Sequence, residues 1–414
     1  MQHVEWSKNA VIYELNTRQF SQEGTFRAVE KQLQRLKELG VGILWIMPIY
    51  PIGIKSRKGS LGSYYSVKDY VSLNPEFGSM DDFKALVKSA HQLGLKIILD
   101  WVANHTSRDA SWIAAHPDWY IWEHGEIVAP YDWSDVAQLD VANRNMWKGM
   151  ASAMKFWLEE ADVDGFRCDM ASLLPVDFWN YIRKELDAVK PVFMLAESED
   201  PALQQHAFDA TYCWELLHIL DGIAQGKKTP DDLSRYFAKN AALFRPNDMR
   251  MAFTSNHDEN SWSGSEFERM GIAAKQMAAF TYVIPAIPLI YNGQEVALSN
   301  RLSFFEKDTI EWGVNLDFTQ HYQLLNRMKK AHKCLWNADW GGSFSYAVDF
   351  NRKVFRVRRE KDDDLVVGIF NFSRETVSIR IPEDVHVDCL TQRLYAPDIE
   401  VVLRDFQYLI LTNR

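Results

Sequence analysis

Strand-like stretches alternate with helix-like stretches over most of this chain, which strongly limits the folds open to it. The predicted strands are residues 10–20, 41–50, 95–102, 163–170, 191–197, 208–214, 250–256 and 287–293. The predicted helices are residues 26–40, 79–94, 145–161, 175–189, 229–244, 273–284 and 319–332. Such alternation implies parallel strands joined by helical crossovers, and eight of them predict a closed (β/α)8 TIM barrel. A doubly wound open sheet is the alternative, weakened by the lack of a GxGxxG turn after the first strand.

The pattern changes near residue 340, after which strand-like stretches follow one another with no helix between them. They are residues 343–350, 353–360, 364–373, 376–382 and 399–412. Consecutive short strands of this kind predict a C-terminal antiparallel β-sandwich. We therefore divide the chain into a barrel over 1–338, with an inserted subdomain over 103–145, and a sandwich over 339–414.

Two connections in the predicted barrel are unusually long, namely 51–79 after the second strand and 103–145 after the third. Both leave the carboxyl ends of strands, where barrel enzymes build their active sites. Long loops are usually functional or disordered. Their aromatic residues argue against disorder, and these are Tyr64, Tyr65, Trp112, Trp119, Tyr120, Trp122 and Trp133.

Charge and composition exclude several classes of function. The net charge of −10 argues against a nucleic-acid partner, which favours a basic surface, and suits a neutral substrate. No apolar run reaches the roughly 20 residues that span a membrane, and the N-terminal residues lack the apolar core of a signal peptide. The four cysteines form no CxxC pair, so we expect free thiols and a cytoplasmic protein.

Charged and polar side chains, most of them acids and histidines, recur where the predicted barrel strands end. They are Asp100, Asn104 and His105 after strand three, Arg167 and Asp169 on strand four, Glu197 on strand five, and Asn256, His257 and Asp258 after strand seven. Any one of these acids is equally well explained as a salt-bridge partner or a helix cap. Acids at the same rim on several strands instead predict a shared site.

The acids on strands four and five suit one particular chemistry. Neighbouring strands lie about 4.8 Å apart, so the Asp169 and Glu197 carboxylates would be separated by about 5–5.5 Å, as in retaining glycosidases. Arg167 beside Asp169 would lower the pKa of that aspartate and keep it ionised as a nucleophile. Glu197 has no basic neighbour in "LAESED", and the anions Asp169 and Asp258 would keep it protonated as the acid.

These stretches resemble a known family. "DWVANH", "GFRCDM", the glutamate of "LAE" and "TSNHDEN" resemble, in order and spacing, the four signatures of the alpha-amylase family of glycoside hydrolases. "YYSVKDY", "NPEFGSMDDFKALV" and "WSDVAQLDVAN" are also similar to segments of that family. The resemblance covers the whole chain, including the predicted sandwich.

The resemblance implies roles for eight residues. Asp169 would be the nucleophile, Glu197 the general acid/base and Asp258 the transition-state stabiliser. His105 and His257 would donate to sugar hydroxyls, with Asp100 and Arg167 as supporting charges. The ring of Tyr65 would stack under the sugar. A plain loop-core tyrosine is the alternative for Tyr65.

The chain also departs from the family pattern. A Lys-His pair that often follows the nucleophile in endo-acting members is replaced by "MASLLP", and the inserted subdomain 103–145 is short. Both departures favour short malto-oligosaccharides over long chains. We expect no cofactor. The one alternative is a calcium ion near Asn104, which stands where many members bind calcium.

We therefore predict a retaining hydrolase of α-glucosidic bonds, chiefly α-1,4, in malto-oligosaccharides or α-glucans, with no nucleic-acid or membrane partner. Transglycosylation, or isomerisation of the kind that trehalose synthases perform, is an alternative that uses the same residues. A catalytically inactive sugar-binding relative is a further alternative, disfavoured because all three acids are present. A metallohydrolase is disfavoured because no HxH or HExxH pattern occurs.

Overall fold

The structure is a computed structural model that describes residues 1–349 and 353–414. Eight parallel strands form a closed barrel, which confirms the predicted (β/α)8 fold. The barrel strands are β1 Ile12–Leu15, β2 Ile43–Ile46, β3 Lys96–Val102, β4 Gly165–Asp169, β5 Phe193–Ala196, β6 Ala210–Tyr212, β7 Met249–Ala252 and β8 Ile287–Tyr291.

The barrel closes because β1 pairs in parallel with both β2 and β8. Around the ring the strands follow their order in the sequence, as expected when each crossover returns the chain to the next position. Every residue of these strands is buried except Lys96, which is partly exposed at the start of β3. Burial on both faces explains why the strands read as continuous apolar runs rather than as alternating patterns.

Helices surround the barrel in the predicted order. The α-helices are Thr17–Phe20, Phe26–Glu30, Leu33–Leu39, Met80–Gln92, Ser111–Ala115, Arg144–Ala161, Val176–Asp187, Trp214–Ala224, Pro230–Leu243, Glu266–Met270, Ala274–Val283 and Leu316–Ala331. The helix Met80–Gln92 begins with a capping box, in which Ser79 and Asp82 bond each other's backbone N–H groups.

Two predicted elements differ from the structure, and one helix of the structure was not predicted. The strand predicted over 10–20 ends at Leu15, because the Asn16 side chain accepts from Arg18 N–H and starts a helical turn. The helix predicted over 26–40 is interrupted between Glu30 and Leu33. The helix Trp214–Ala224 was not predicted, since its nearly continuous apolar sequence hides the helical period.

The two long connections pack against each other over the carboxyl ends of the strands. Ser107 N–H donates to Val67 O at 2.8 Å, and Ser111 N–H donates to Lys68 O at 3.1 Å. Within 103–145, the strand His105–Ser107 pairs antiparallel with Val136–Gln138. These contacts make the two loops one wall of the barrel mouth.

The C-terminal region is an antiparallel sandwich, as predicted. Its strands are β9 Ser343–Val348, β10 Val354–Lys361, β11 Asp364–Asn371, β12 Val377–Arg380, β13 Val387–Asp388, β14 Glu400–Leu403 and β15 Tyr408–Thr412. A sheet in the order β9-β10-β11-β15-β13 packs against the β12-β14 pair, with an apolar cluster between them that includes Ile369, Ile379 and Leu403.

The strand predicted over 399–412 is in fact two strands, separated by a turn in which Gln407 N–H donates to Arg404 O at 3.1 Å. Phe350, the last residue of the strand predicted over 343–350, lies outside the described residues. The proposed domain boundary after residue 338 falls in the short turn Ala338–Trp340 and stays a prediction.

In residues 1–349 and 353–414, no helix is long and apolar enough to cross a membrane. All four cysteines are buried and free of disulfides. Cys168 lies between Arg167 and Asp169 on β4, so its side chain points away from the barrel interior that they face.

Candidate active site

A pocket of about 400 Å³ lies at the carboxyl end of the barrel. Six of the eight predicted site residues line it: Tyr65, His105, Asp169, Glu197, His257 and Asp258. The other two, Asp100 and Arg167, lie beneath it, and both are 0% exposed. The fold thus brings all eight residues together, from loops and strands far apart in the sequence.

Arg167 occupies the centre of this layer. Its Nη1 lies 2.9 Å from Asp100 Oδ1 and 3.2 Å from Asp169 Oδ1. Its Nη2 lies 3.0 Å from Glu197 Oε2, an ionic contact whose angles do not suit a hydrogen bond. Its Nε donates to the Tyr212 hydroxyl at 3.1 Å. The stretch "LAESED" holds no basic residue, but the fold places Arg167 from the adjacent strand against Glu197.

Asp100 fixes the positions of the groups around it. Its Oδ2 accepts from Trp45 Nε1 and from the Tyr65 hydroxyl, both at 3.0 Å. The Tyr65 hydroxyl also lies 2.8 Å from His257 Nε2. Tyr65 is therefore tied to two site residues and its ring faces the pocket, which favours the substrate-binding interpretation over a loop-core tyrosine.

His257 lies between two carboxylates. Its Nδ1 is 2.5 Å from Glu14 Oε1, and its Nε2 is 3.3 Å from Asp258 Oδ2. Burial opposes a charge on the ring, but the negative charges of Asp258 and Glu14 outweigh it and raise the pKa of His257 to about 9. His257 is thus a cation at neutral pH.

The turn after β4 presents a backbone donor to Glu197. Met170 has φ +43°, a left-handed conformation that side-chain-bearing residues seldom adopt. Its N–H donates to Glu197 Oε2 at 2.7 Å, and Glu197 N–H donates to Cys168 O at 3.0 Å. The strained turn therefore holds the Glu197 carboxylate beside the end of β4, where Asp169 lies.

The electrostatics of Asp169 differ from the prediction. Burial raises the pKa of the Asp169 carboxyl well above its usual value, and the neighbouring charge of Glu197 raises it further. Arg167 acts in the opposite direction but does not outweigh these effects. The predicted lowering of the Asp169 pKa is therefore wrong, because burial and the charge of Glu197 together outweigh the arginine.

His105 is neutral in this environment. Burial lowers the pKa of the His105 ring to about 4. The Asn104 side-chain amide nitrogen lies 3.2 Å from His105 Nδ1, and because an amide nitrogen only donates, Nδ1 is the acceptor. This assigns the ring proton to Nε2, leaving one N–H donor.

Calcium binding at Asn104 stays a prediction. Its side-chain amide is directed at His105, and its backbone carbonyl accepts from Leu139 N–H at 3.2 Å. Within the two described ranges, no group of three or more His, Cys, Asp or Glu side chains is placed to hold a metal ion. Calcium prefers six to eight oxygen ligands, of which the Asn104 side chain would supply one.

Sequence reasoning missed several residues of the pocket. Lys58 and Asp135 line it and form an ion pair at 3.1 Å between the two long connections. Trp262, Phe304 and Phe305 line the side near β7 and β8. Glu14, the partner of His257 near the end of β1, was also missed. The strand-end rule that found the other acids detects it as well.

Comparisons with known proteins show what the chain as a whole is similar to. A family model described as the alpha amylase catalytic domain matches residues 11–138 and 131–386. Alpha-amylase 3 of Dictyoglomus thermophilum is 27% identical over 446 residues, covering 89% of this chain and 86% of that protein. An alpha-amylase from Lactobacillus plantarum superposes with a TM-score of 0.90 at 31% identity, over 98% of this chain and 99% of the other. The noncanonic maltogenic alpha-amylase AmyB of Thermotoga neapolitana gives 0.90 at 28% identity, with the same coverage.

Proposed function

The chain belongs to the alpha-amylase family of glycoside hydrolases, and from this we propose that it cleaves α-1,4-glucosidic bonds of short malto-oligosaccharides with retention of anomeric configuration. The proposal assigns Asp169 as nucleophile, Glu197 as general acid/base and Asp258 as stabiliser of the transition state. Its substrates are uncharged oligosaccharides, in keeping with the acidic chain.

One observation carries the proposal, namely an excess of carboxylates over cations around the pocket. The ion-pair network joins two cations, Arg167 and His257, to five carboxylates: Glu14, Asp100, Asp169, Glu197 and Asp258. Glycoside cleavage passes through an oxocarbenium-like transition state, in which positive charge develops on the sugar. Preorganised negative charge stabilises that state more than the neutral substrate, which is what catalysis requires.

The first step forms a glycosyl-enzyme. An Asp169 oxygen attacks the anomeric carbon as the glycosidic C–O bond breaks, and the Glu197 carboxyl transfers its proton to the departing oxygen. Arg167 lies against both carboxylates and also against Asp100, so one cation faces three acids and the pair favours holding one proton. The step begins with that proton on Glu197 and with Asp169 ionised.

The second step returns the enzyme to its starting state. Glu197, now ionised, takes a proton from water, and the resulting hydroxide displaces Asp169 from the anomeric carbon. Two inversions at one carbon leave the configuration retained. A second sugar in place of water would give transglycosylation, which is why products must be identified as well as counted.

Time-resolved proton NMR of maltotriose cleavage tests the proposal. We expect the α-anomer to appear first and the β-anomer to follow only by mutarotation. First appearance of the β-anomer would overturn the retaining mechanism. The same samples, with maltose, isomaltose, pullulan and soluble starch in parallel, report linkage preference, and longer oligomers or trehalose among the products would favour the transglycosylase or isomerase alternative.

A further inference from the structure

Trp262 is a large apolar side chain exposed at the mouth of the pocket. It is 56% exposed, and it lines the pocket within the π-helical turn Glu259–Ser263 that follows Asp258. Its indole N–H has no hydrogen-bond acceptor among the residues that the structure describes. Exposure of so much aromatic surface costs free energy, and π-helical turns are frequent at functional sites.

Trp262 extends an aromatic wall that begins at Tyr65. The rings of Tyr65 and Phe304 are nearly parallel, with centroids 6.2 Å apart. The Phe304 ring lies 5.2 Å from that of Trp262, and the Phe305 ring lies 5.9 Å from Trp262. The pocket thus has a continuous apolar side running from Tyr65 to Trp262, of the kind on which a sugar ring stacks.

Hydrogen bonds hold this wall in place. Leu302 N–H donates to Asn260 Oδ1 at 2.7 Å, and Ser261 Oγ donates to Leu302 O at 2.8 Å. On the other side of the segment, Gln19 Nε2 donates to Ser303 O at 2.8 Å. Because the wall is ordered before any ligand arrives, binding to it loses little conformational entropy.

The order of strands around the barrel fixes which part of a substrate meets Trp262. Glu197 follows β5, whereas Trp262 follows β7 and Phe304 follows β8. A leaving group lies beside Glu197, which protonates its oxygen. In the ring of eight strands, β1 lies opposite β5 and between β8 and β2, and the loop after β2 carries Tyr65. Tyr65 and Phe304 therefore lie across the barrel from Glu197, and Trp262 packs against Phe304 at that part of the wall.

We propose that Trp262 is a specificity-determining residue that stacks on the second sugar unit on the non-reducing side of the bond cleaved. The inference rests on the proposed function, since it takes Glu197 as the acid. It makes this enzyme prefer substrates with two sugar units before the scissile bond over those with one. Phe304 packs against the indole at 5.2 Å between ring centroids, and the free indole N–H donates to a sugar hydroxyl.

Aryl glycosides test this directly, because their leaving group is constant. We compare kcat/KM for 4-nitrophenyl α-maltoside with that for 4-nitrophenyl α-glucoside in the wild type, Trp262→Ala and Trp262→Phe. Trp262→Ala should lower the maltoside-to-glucoside ratio of kcat/KM by about tenfold or more, because the apolar contact that the bound sugar makes with the indole is lost. Trp262→Phe should restore part of the ratio. Trp122→Ala is the matched control, since Trp122 is 46% exposed but lies outside the pocket lining, and its ratio should not change.

An unchanged ratio in Trp262→Ala, or equal losses on both glycosides, would overturn the inference. If the wild type cleaves neither of the two glycosides, that result would instead contradict the proposed function. Calorimetric binding of maltose and glucose to Asp169→Asn, with and without Trp262→Ala, then decides the matter. The stacking site is supported if Asp169→Asn binds maltose more tightly than glucose and Trp262→Ala removes this preference. It is rejected if maltose binds equally well with and without Trp262→Ala.

Discussion

Arg167 and Glu197 lie in contact, with 3.0 Å between Nη2 and Oε2. The same guanidinium is 3.2 Å from Asp169 through Nη1. One cation thus lies against the proposed nucleophile and the proposed acid, rather than against the nucleophile alone. Because Arg167 attracts both carboxylates, the protonation of Asp169 and Glu197 depends also on their mutual repulsion and on their burial.

Replacement of Asp169 by asparagine should abolish turnover and stabilise the fold. Covalent catalysis is lost, so we expect kcat on maltotriose to fall by about four orders of magnitude or more. The pKa of Asp169 is raised in the folded state, so its ionisation lowers stability as pH rises from the unfolded value through the folded one. Thermal unfolding at pH 7 should therefore show a higher Tm for Asp169→Asn than for the wild type. Activity within tenfold of the wild type would reject the assignment.

Replacement of Glu197 by glutamine should affect substrates according to their leaving groups. A sugar alkoxide needs a proton to depart, whereas fluoride and activated phenolates do not. The loss of activity should therefore be much larger on maltotriose than on α-maltosyl fluoride. Hydrolysis of the intermediate still needs a base, and added azide should restore turnover by attacking without one. Equal losses on both substrates, with no response to azide, would show that Glu197 is not the acid/base.

Deprotonation of His257 should destabilise the protein at alkaline pH. Its pKa is raised from 6.5 to about 9, chiefly by Asp258 and Glu14 against the effect of burial. The stabilisation is therefore complete below the unfolded value and is lost as pH rises through about 9. Urea unfolding from pH 6 to 10 should show a stability difference between the wild type and His257→Gln that shrinks across this window. A difference independent of pH would mean that the ring charge contributes nothing.

Catalytic efficiency should stop rising at short chain lengths. The pocket holds about 400 Å³, and the Lys58–Asp135 ion pair joins the two loops beside it. With little surface for remote sugars, extra units add little binding energy. We expect kcat/KM to reach a plateau by about three or four sugars from maltose to maltoheptaose. A rise of more than about tenfold from maltotetraose to maltoheptaose would reveal an extended cleft.

Much of the site was predictable because a barrel converts strand order into spatial position. Residues at the carboxyl ends of parallel strands must meet at one rim, so Asp169, Glu197 and Asp258 were predicted together, and the structure places them in one pocket. The same rule applies to Glu14 at the end of β1, which was overlooked. The aromatic wall was not predictable in this way, because Phe304 and Trp262 belong to irregular segments whose paths depend on hydrogen bonds such as that of Asn260 with Leu302.

The sequence by itself determined the barrel, the C-terminal sandwich and the set of acids at the rim, because hydrophobic periodicity and strand order are local and additive. Only the tertiary structure decided the charge state of that set. Arg167 reaches Glu197 across a strand boundary, and burial raises the pKa of Asp169 where its sequence neighbour alone predicted a lowering. A pKa depends on every charge within several ångströms and on exclusion of water, and neither is visible until the chain has folded.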